Sequence, residues 1–158
     1  MSRIPVSDTY PRSTASIAGH PIHPMLVPIP IVCFAGTLVT DVAYWSTANM
    51  QWANFSVWLL SVGLIASVFA GIAGAIDFFG DRSIRRLKPA WIHAGGNALA
   101  LILAILNVFV HSRDAYTSVV PTGLILSALL VVILLVTVWN GAELVHRHRV
   151  GVQPGERA

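Results

Sequence analysis

The chain has 158 residues, of which 55% are hydrophobic and 11% charged, and its mean hydropathy is +0.70. That balance excludes an ordinary soluble domain, in which about a quarter of the residues are charged, and a single cysteine excludes both an internal disulfide and a cysteine-held cluster. The net charge of +3 comes without aromatic and basic residues interleaved, so nucleic acid is not an expected partner and the basic residues read first as topology signals.

A spanning helix needs about 20 mostly apolar residues, and four segments qualify: 25–45, 55–79, 91–110 and 119–139. The expected architecture is all-α: a polytopic four-helix transmembrane bundle over residues 19–150, with helices at about 24–45, 55–79, 90–111 and 119–146. Residues 1–18 form an N-terminal segment and 151–158 a disordered tail. No apolar run precedes Met25, so no cleavable signal is expected and the first helix must direct insertion. Four crossings leave both termini on one side. Arg3, Arg12, Arg82, Arg85, Arg86, Lys88, Arg147, Arg149 and Arg157 fall on that side and only Arg113 opposite, which predicts that the termini are cytoplasmic in a bacterial inner membrane. Trp45, Trp52, Trp58, Trp91 and Trp139 fall at or near segment ends, as interfacial rings do.

The first helix is preceded by Gly19-His20-Pro21-Ile22-His23-Pro24, and Pro24 suits an opening turn, where its missing donor costs nothing. His23 and Asp41 are separated by five full turns and share a stripe with Pro30 and Thr37 that should turn inward. Cys33 reads as a small buried thiol. In the second helix Gly63, Ala66, Ala70, Ala73 and Gly74 let backbones approach closely and lead to Asp77. That carboxylate either joins a site at the cytoplasmic edge or pairs with Arg82 or Arg85. The third helix carries His93, Asn97, Ala100, Ala104, Asn107 and His111 at steps of four and three, a polar-and-small stripe for the bundle interior. Asn97 and Asn107 suit hydrogen bonds between helices. The fourth helix is a leucine and valine run that ends in Glu143, His146 and His148. Glu143 and His146 share a face, and which histidine turns inward depends on where the helix stops.

Four motifs then occur in order: HPIHPMLVPIPI followed by Asp41, GAIDFF with Asp77, Trp91-Ile92-His93 with Asn97, and GAELVHRHRVGV. Together they resemble the uncharacterised bacterial four-helix membrane family called domain of unknown function 2231, over residues 19–152. Family members end in tyrosine-arginine-histidine-glycine. His148 therefore corresponds to the family histidine, while His146 stands where tyrosine is usual and Arg149 where glycine is usual. Some members carry a fused Rieske-type domain, from which the resemblance implies electron transfer.

On the cytoplasmic side the candidate ligands are His20, His23, Asp77, His93, Glu143 and one of His146 and His148. One expectation is a b-type haem held by an opening-helix histidine and by His93 or the fourth-helix histidine. Ala70, Gly74, Gly95 and Gly96 would leave room for it, and Arg82, Arg85 or Arg86 would pair with its propionates. A second is a bare divalent transition metal on three histidines with Asp77 or Glu143. A third is a packing face in an assembly partner of a larger membrane complex. Haem is preferred, with the lipid bilayer, a redox partner protein and a second copy as expected partners. Asp41 and His111, each five turns from an inner histidine, are expected to meet at the outer end as a structural hydrogen bond or a partner for Arg113, or else as a proton relay or pH-responsive latch. With no nucleophile beside a base and no phosphate-binding loop, the sequence assigns no enzymatic activity.

Overall fold

The computed structural model describes residues 10–113 and 118–152. In chain order these form a two-stranded antiparallel hairpin, β1 (Ser16–Ile17) and β2 (His20–Pro21), then α1 (Ile22–Leu26), α2 (Pro28–Thr47), α3 (Met50–Gly80), α4 (Arg82–Arg85) and α5 (Lys88–His111). A π-helical turn (Val119–Gly123) then leads into α6 (Leu124–His146). Four spans, Ile22–Thr47, Met50–Gly80, Lys88–His111 and Val119–His146, are long and apolar enough to cross a bilayer. Their outer surfaces expose large apolar side chains such as Val32, Val39, Ile65, Phe69, Ile102, Phe109, Val132 and Leu135. Such a surface needs lipid around it, and the protein is an all-α, four-helix membrane protein.

The expected helix bounds need three corrections. Pro28 and Pro30 lack the amides that would bond back one turn, so the first span breaks at Val27. That residue's own amide still bonds His23 O at 3.1 Å. The second helix begins at Met50 rather than near residue 55, because Ala48 turns left-handed (φ 52°) and the Asn49 side chain accepts the Gln51 amide at 3.0 Å as an N-cap. The third begins at Lys88, with Pro89 in its opening turn.

Helices α2, α3, α5 and α6 form a ring in which α2 packs on α3 and α6, and α5 on the same two, so α2 and α5 lie diagonally across the axis. The middle of the bundle is an apolar plug of Phe34, Leu60, Ala100, Ala104, Leu130 and Leu134. Gly63 makes the plug possible. A Cβ there would sit 2.8 Å from the Phe34 ring and 2.9 Å from Cys33 Cβ, so the small-residue seam of α3 is where the first helix presses in.

One end of the bundle is closed by the N-terminal segment. Asp77 accepts the Ala15 amide at 2.7 Å and the Ser13 hydroxyl at 2.9 Å, with Thr14 Oγ1 at 3.4 Å. Arg12 donates its amide to Asp81 at 3.1 Å, Pro11 O accepts the Gly151 amide at 2.9 Å, and the Arg149 guanidinium lies 5.2 Å from the centre of the Tyr10 ring. Gly151, expected in the disordered tail, is therefore tied to the N-terminal segment, the Val152 amide bonds Arg149 O at 3.3 Å, and 153–158 lie outside the described residues. The Ser83 hydroxyl and amide, both bonded to Asp81, hold its carboxyl below the usual carboxylate range, and Arg12 and Arg85 assist.

Candidate functional site

Two polar centres lie on the axis, one toward each end. Near the end closed by the N-terminal segment, His23 comes from α1 and His93 from the second turn of α5, and their ring centres are 5.8 Å apart with the planes at 88°. His23 Nδ1 is 2.8 Å from Ala70 O on α3, and His93 Nδ1 is 2.8 Å from Thr137 O on α6. A carbonyl oxygen can only accept, so each Nδ1 carries the proton and donates. In the neutral form of each ring Nε2 is then the nitrogen with the lone pair. Both rings rest on glycine: a Cβ at Gly74 would lie 2.9 Å from His23 Nδ1, and one at Gly141 would lie 3.0 Å from His93 Cε1. Asn97 donates to His93 O at 2.7 Å, a bond within its own helix rather than between helices.

Toward the opposite end, Asp41 and His111 meet. His111 Nε2 is 2.9 Å from Asp41 Oδ1, and Asp41 is 0% and His111 3% exposed. Ser127 donates its hydroxyl to Asp41 Oδ2 at 2.6 Å, Asn107 Nδ2 donates to Ser127 Oγ at 2.8 Å, and His111 Nδ1 donates to Asn107 O at 3.1 Å. The four residues close a ring in which Asn107 and Ser127 on one side, and His111 on the other, direct their donors toward the Asp41 carboxylate. A buried carboxylate and imidazole in direct contact partner each other, which is how a membrane interior tolerates ionisable groups. Thr40 and Ser56 add a buried hydroxyl pair at 2.7 Å beside it. Asn107 Oδ1 is buried without a hydrogen-bond partner among the described residues.

The remaining expected ligands go elsewhere. The carboxylate of Asp77 is taken up by Ser13, Thr14 and Ala15, and neither joins His93 nor pairs with Arg82 or Arg85. Glu143 pairs with Arg147 one turn on, at 3.2 Å. His20 is exposed on β2. His146 is the exposed last residue of α6, and His148 is half-buried just beyond it with its amide on Glu143 O at 3.2 Å. Among the described residues no three His, Cys, Asp or Glu side chains gather closely enough to hold a metal ion, so the set of three histidines and a carboxylate does not assemble. The physical reason is that each carboxylate at this end has a nearer partner on a loop or on its own helix. Of the small residues expected to leave room, Gly96 packs against Thr137 and Gly95 faces open space.

The DUF2231 family model, described as a predicted membrane protein, matches residues 19–154. The chain belongs to that family. The DUF2231 match takes in both axial centres and all four spans. No curated protein and no solved structure matches the chain.

Sequence reasoning missed Ser127, Thr137 and Gly141, and it gave Gly74 a role as room for a cofactor rather than as the seat of the His23 ring. Ser127 sits in a leucine-rich helix with nothing to mark it, and Gly74 and Gly141 look like ordinary small residues. One signal is present in the spacing: His23 and Asp41 recur at an equal offset as His93 and His111, and Ala70 and Gly74 recur at a slightly shorter one as Thr137 and Gly141. Each helical hairpin thus has a histidine that crosses to a carbonyl one helical turn before a glycine.

Proposed function

We propose that the chain is a b-type haem-binding electron-transfer module of the membrane, in which His23 and His93 would hold the haem. The observation that carries this reading is the paired imidazoles: each Nδ1 is engaged by a backbone carbonyl, which turns Nε2 to the role of ligand, and the ring centres are 5.8 Å apart. Two histidines from different helices that meet within a membrane bundle are the donors a protein offers to haem iron. A bare divalent metal would need further side-chain donors, whereas haem supplies four equatorial nitrogens and asks the protein for two. Arg85 supports the same choice, because its Nε is buried at this end of the bundle without a partner among the described residues and suits a propionate. Haem supplies one-electron chemistry when bound. The chain's own residues orient the ligands, raise their basicity through the Nδ1 bonds and exclude water with the apolar plug below.

By the positive-inside rule this end faces the cytoplasm of a bacterial inner membrane: Arg12, Arg82, Arg85, Arg86, Lys88, Arg147 and Arg149 lie here among the described residues, against Arg113 at the other end. A redox partner protein, or a second copy, would dock here. The test is purification in mild detergent after expression with a haem supply. A Soret band with sharp bands on reduction and about one haem per chain is expected. A colourless protein with stoichiometric zinc, iron or copper would instead support the bare-metal reading, and one with neither would reduce the histidines to packing.

A further inference from the structure

We infer that Gly74 and Gly141 are positioning residues that set how strongly His23 and His93 can donate to a bound metal centre. This rests on the haem reading for its redox consequence but not for its geometry. In an α-helix the carbonyl of residue i already accepts the amide of residue i+4, so Ala70 O serves Gly74 and Thr137 O serves Gly141. Each carbonyl keeps a second lone pair. A side chain at i+4 leans toward the helix N-terminus and covers the turn below it. Glycine at 74 and 141 leaves that lone pair open, and an imidazole from another helix fills the space.

The fit is close at both positions. A Cβ at residue 74 would meet His23 Nδ1 at 2.9 Å and Cε1 at 3.0 Å, and a Cβ at 141 would meet His93 Cε1 at 3.0 Å and Nδ1 at 3.1 Å. The neighbour in each case is a ring held by a 2.8 Å bond, not the free end of a flexible chain. Not every glycine in these helices behaves so: Gly71 and Gly95 have nothing within 4 Å of a built Cβ. The same carbonyl, glycine and histidine arrangement occurs once in each hairpin, at matching positions, so it is a repeated device rather than a single accident of packing. A carbonyl on Nδ1–H fixes the tautomer and makes Nε2 the stronger donor, which favours the oxidised iron of a bound haem.

The experiment uses the full chain in detergent, haem-free and haem-loaded, as wild type, Gly74→Ala, Gly141→Ala, and the controls Gly71→Ala and Gly95→Ala. In haem-free protein, nitrogen-resolved NMR of the histidines should find His23 and His93 in the Nδ1–H tautomer in wild type and both controls. The affected histidine should shift to mixed tautomers in each test variant. In haem-loaded protein the midpoint potential should move upward in the test variants and stay in place in the controls. Should the test variants fail to fold, the wild-type tautomers decide: an Nε2–H tautomer at both histidines overturns the inference. Alanine variants that keep the wild-type tautomers overturn it equally. Haem binding with unchanged tautomers and potential sinks the positioning role alone. Tautomers that shift in a chain that never takes up haem uphold it and sink the haem reading.

Discussion

Removing one partner of the Asp41–His111 pair should cost far more than removing the second. In Asp41→Ala the variant loses the acceptor for His111 Nε2 and for the Ser127 hydroxyl, bonds of 2.9 and 2.6 Å in a place that water does not reach. Hydrogen bonds to charged groups contribute about 1.5–3 kcal/mol each, and breaking a buried pair from one side costs about 3–5 kcal/mol because the survivor is stranded. His111→Ala strands Asp41 in the same way. The double variant strands neither, so it should cost little more than either single one, giving a coupling energy of about 2–4 kcal/mol. An ordinary interhelical hydrogen bond in a membrane couples by about 0.6 kcal/mol, which sets the floor. Equilibrium unfolding in mixed micelles, followed by tryptophan fluorescence, measures all four corners of the cycle. A coupling at or below that floor would refute the claim that these four residues form one closed unit.

Three further outcomes follow from the geometry. Asp77→Ala frees Ser13 and Ala15, so proteolysis and amide exchange across residues 10–18 should accelerate at a stability cost of about 1–3 kcal/mol, with the His23–His93 contact unchanged. Asp81 is held below its ordinary value, so its contribution is fully present above the unfolded carboxylate value of about 3.9 and is lost as pH falls through the lower folded value. The contact between Arg12 and Asp81, read by exchange at residue 12, should therefore loosen only below about pH 4, and Asp81→Asn should remove that acid-side dependence. Gly63→Leu forces the side chain into the Phe34 ring and should cost about 1–3 kcal/mol by overpacking, while Gly71→Ala, which meets nothing within 4 Å, should not destabilise.

The fold was legible because lipid solvation writes itself along whole segments: four apolar runs and two inward stripes at helical spacing need no knowledge of partners. The Asp41–His111 contact was legible for the same reason, since both lie five turns from a histidine on a stripe that cannot face lipid. The site around His23 and His93 was legible only in part. The two rings do lie together, but Asp77 is claimed by Ser13 and Ala15, residues with no periodic pattern, and Glu143 by Arg147. Sequence spacing ranks faces of a helix; it does not rank a loop hydroxyl against a histidine as the nearer partner. Gly74 and Gly141 were hidden more deeply, because what they offer is the absence of a side chain over a carbonyl that belongs to a residue one turn back.

The proposed function requires His23 and His93 to share one haem. Haem content and the reduced absorption spectrum of the detergent-purified chain, compared with His23→Ala, His93→Ala and His148→Ala, test that most directly. About one haem per chain and a six-coordinate, low-spin spectrum are expected in wild type and His148→Ala, with haem lost or five-coordinate in the other two. Wild-type protein without haem, or a low-spin spectrum that survives His93→Ala, would contradict it.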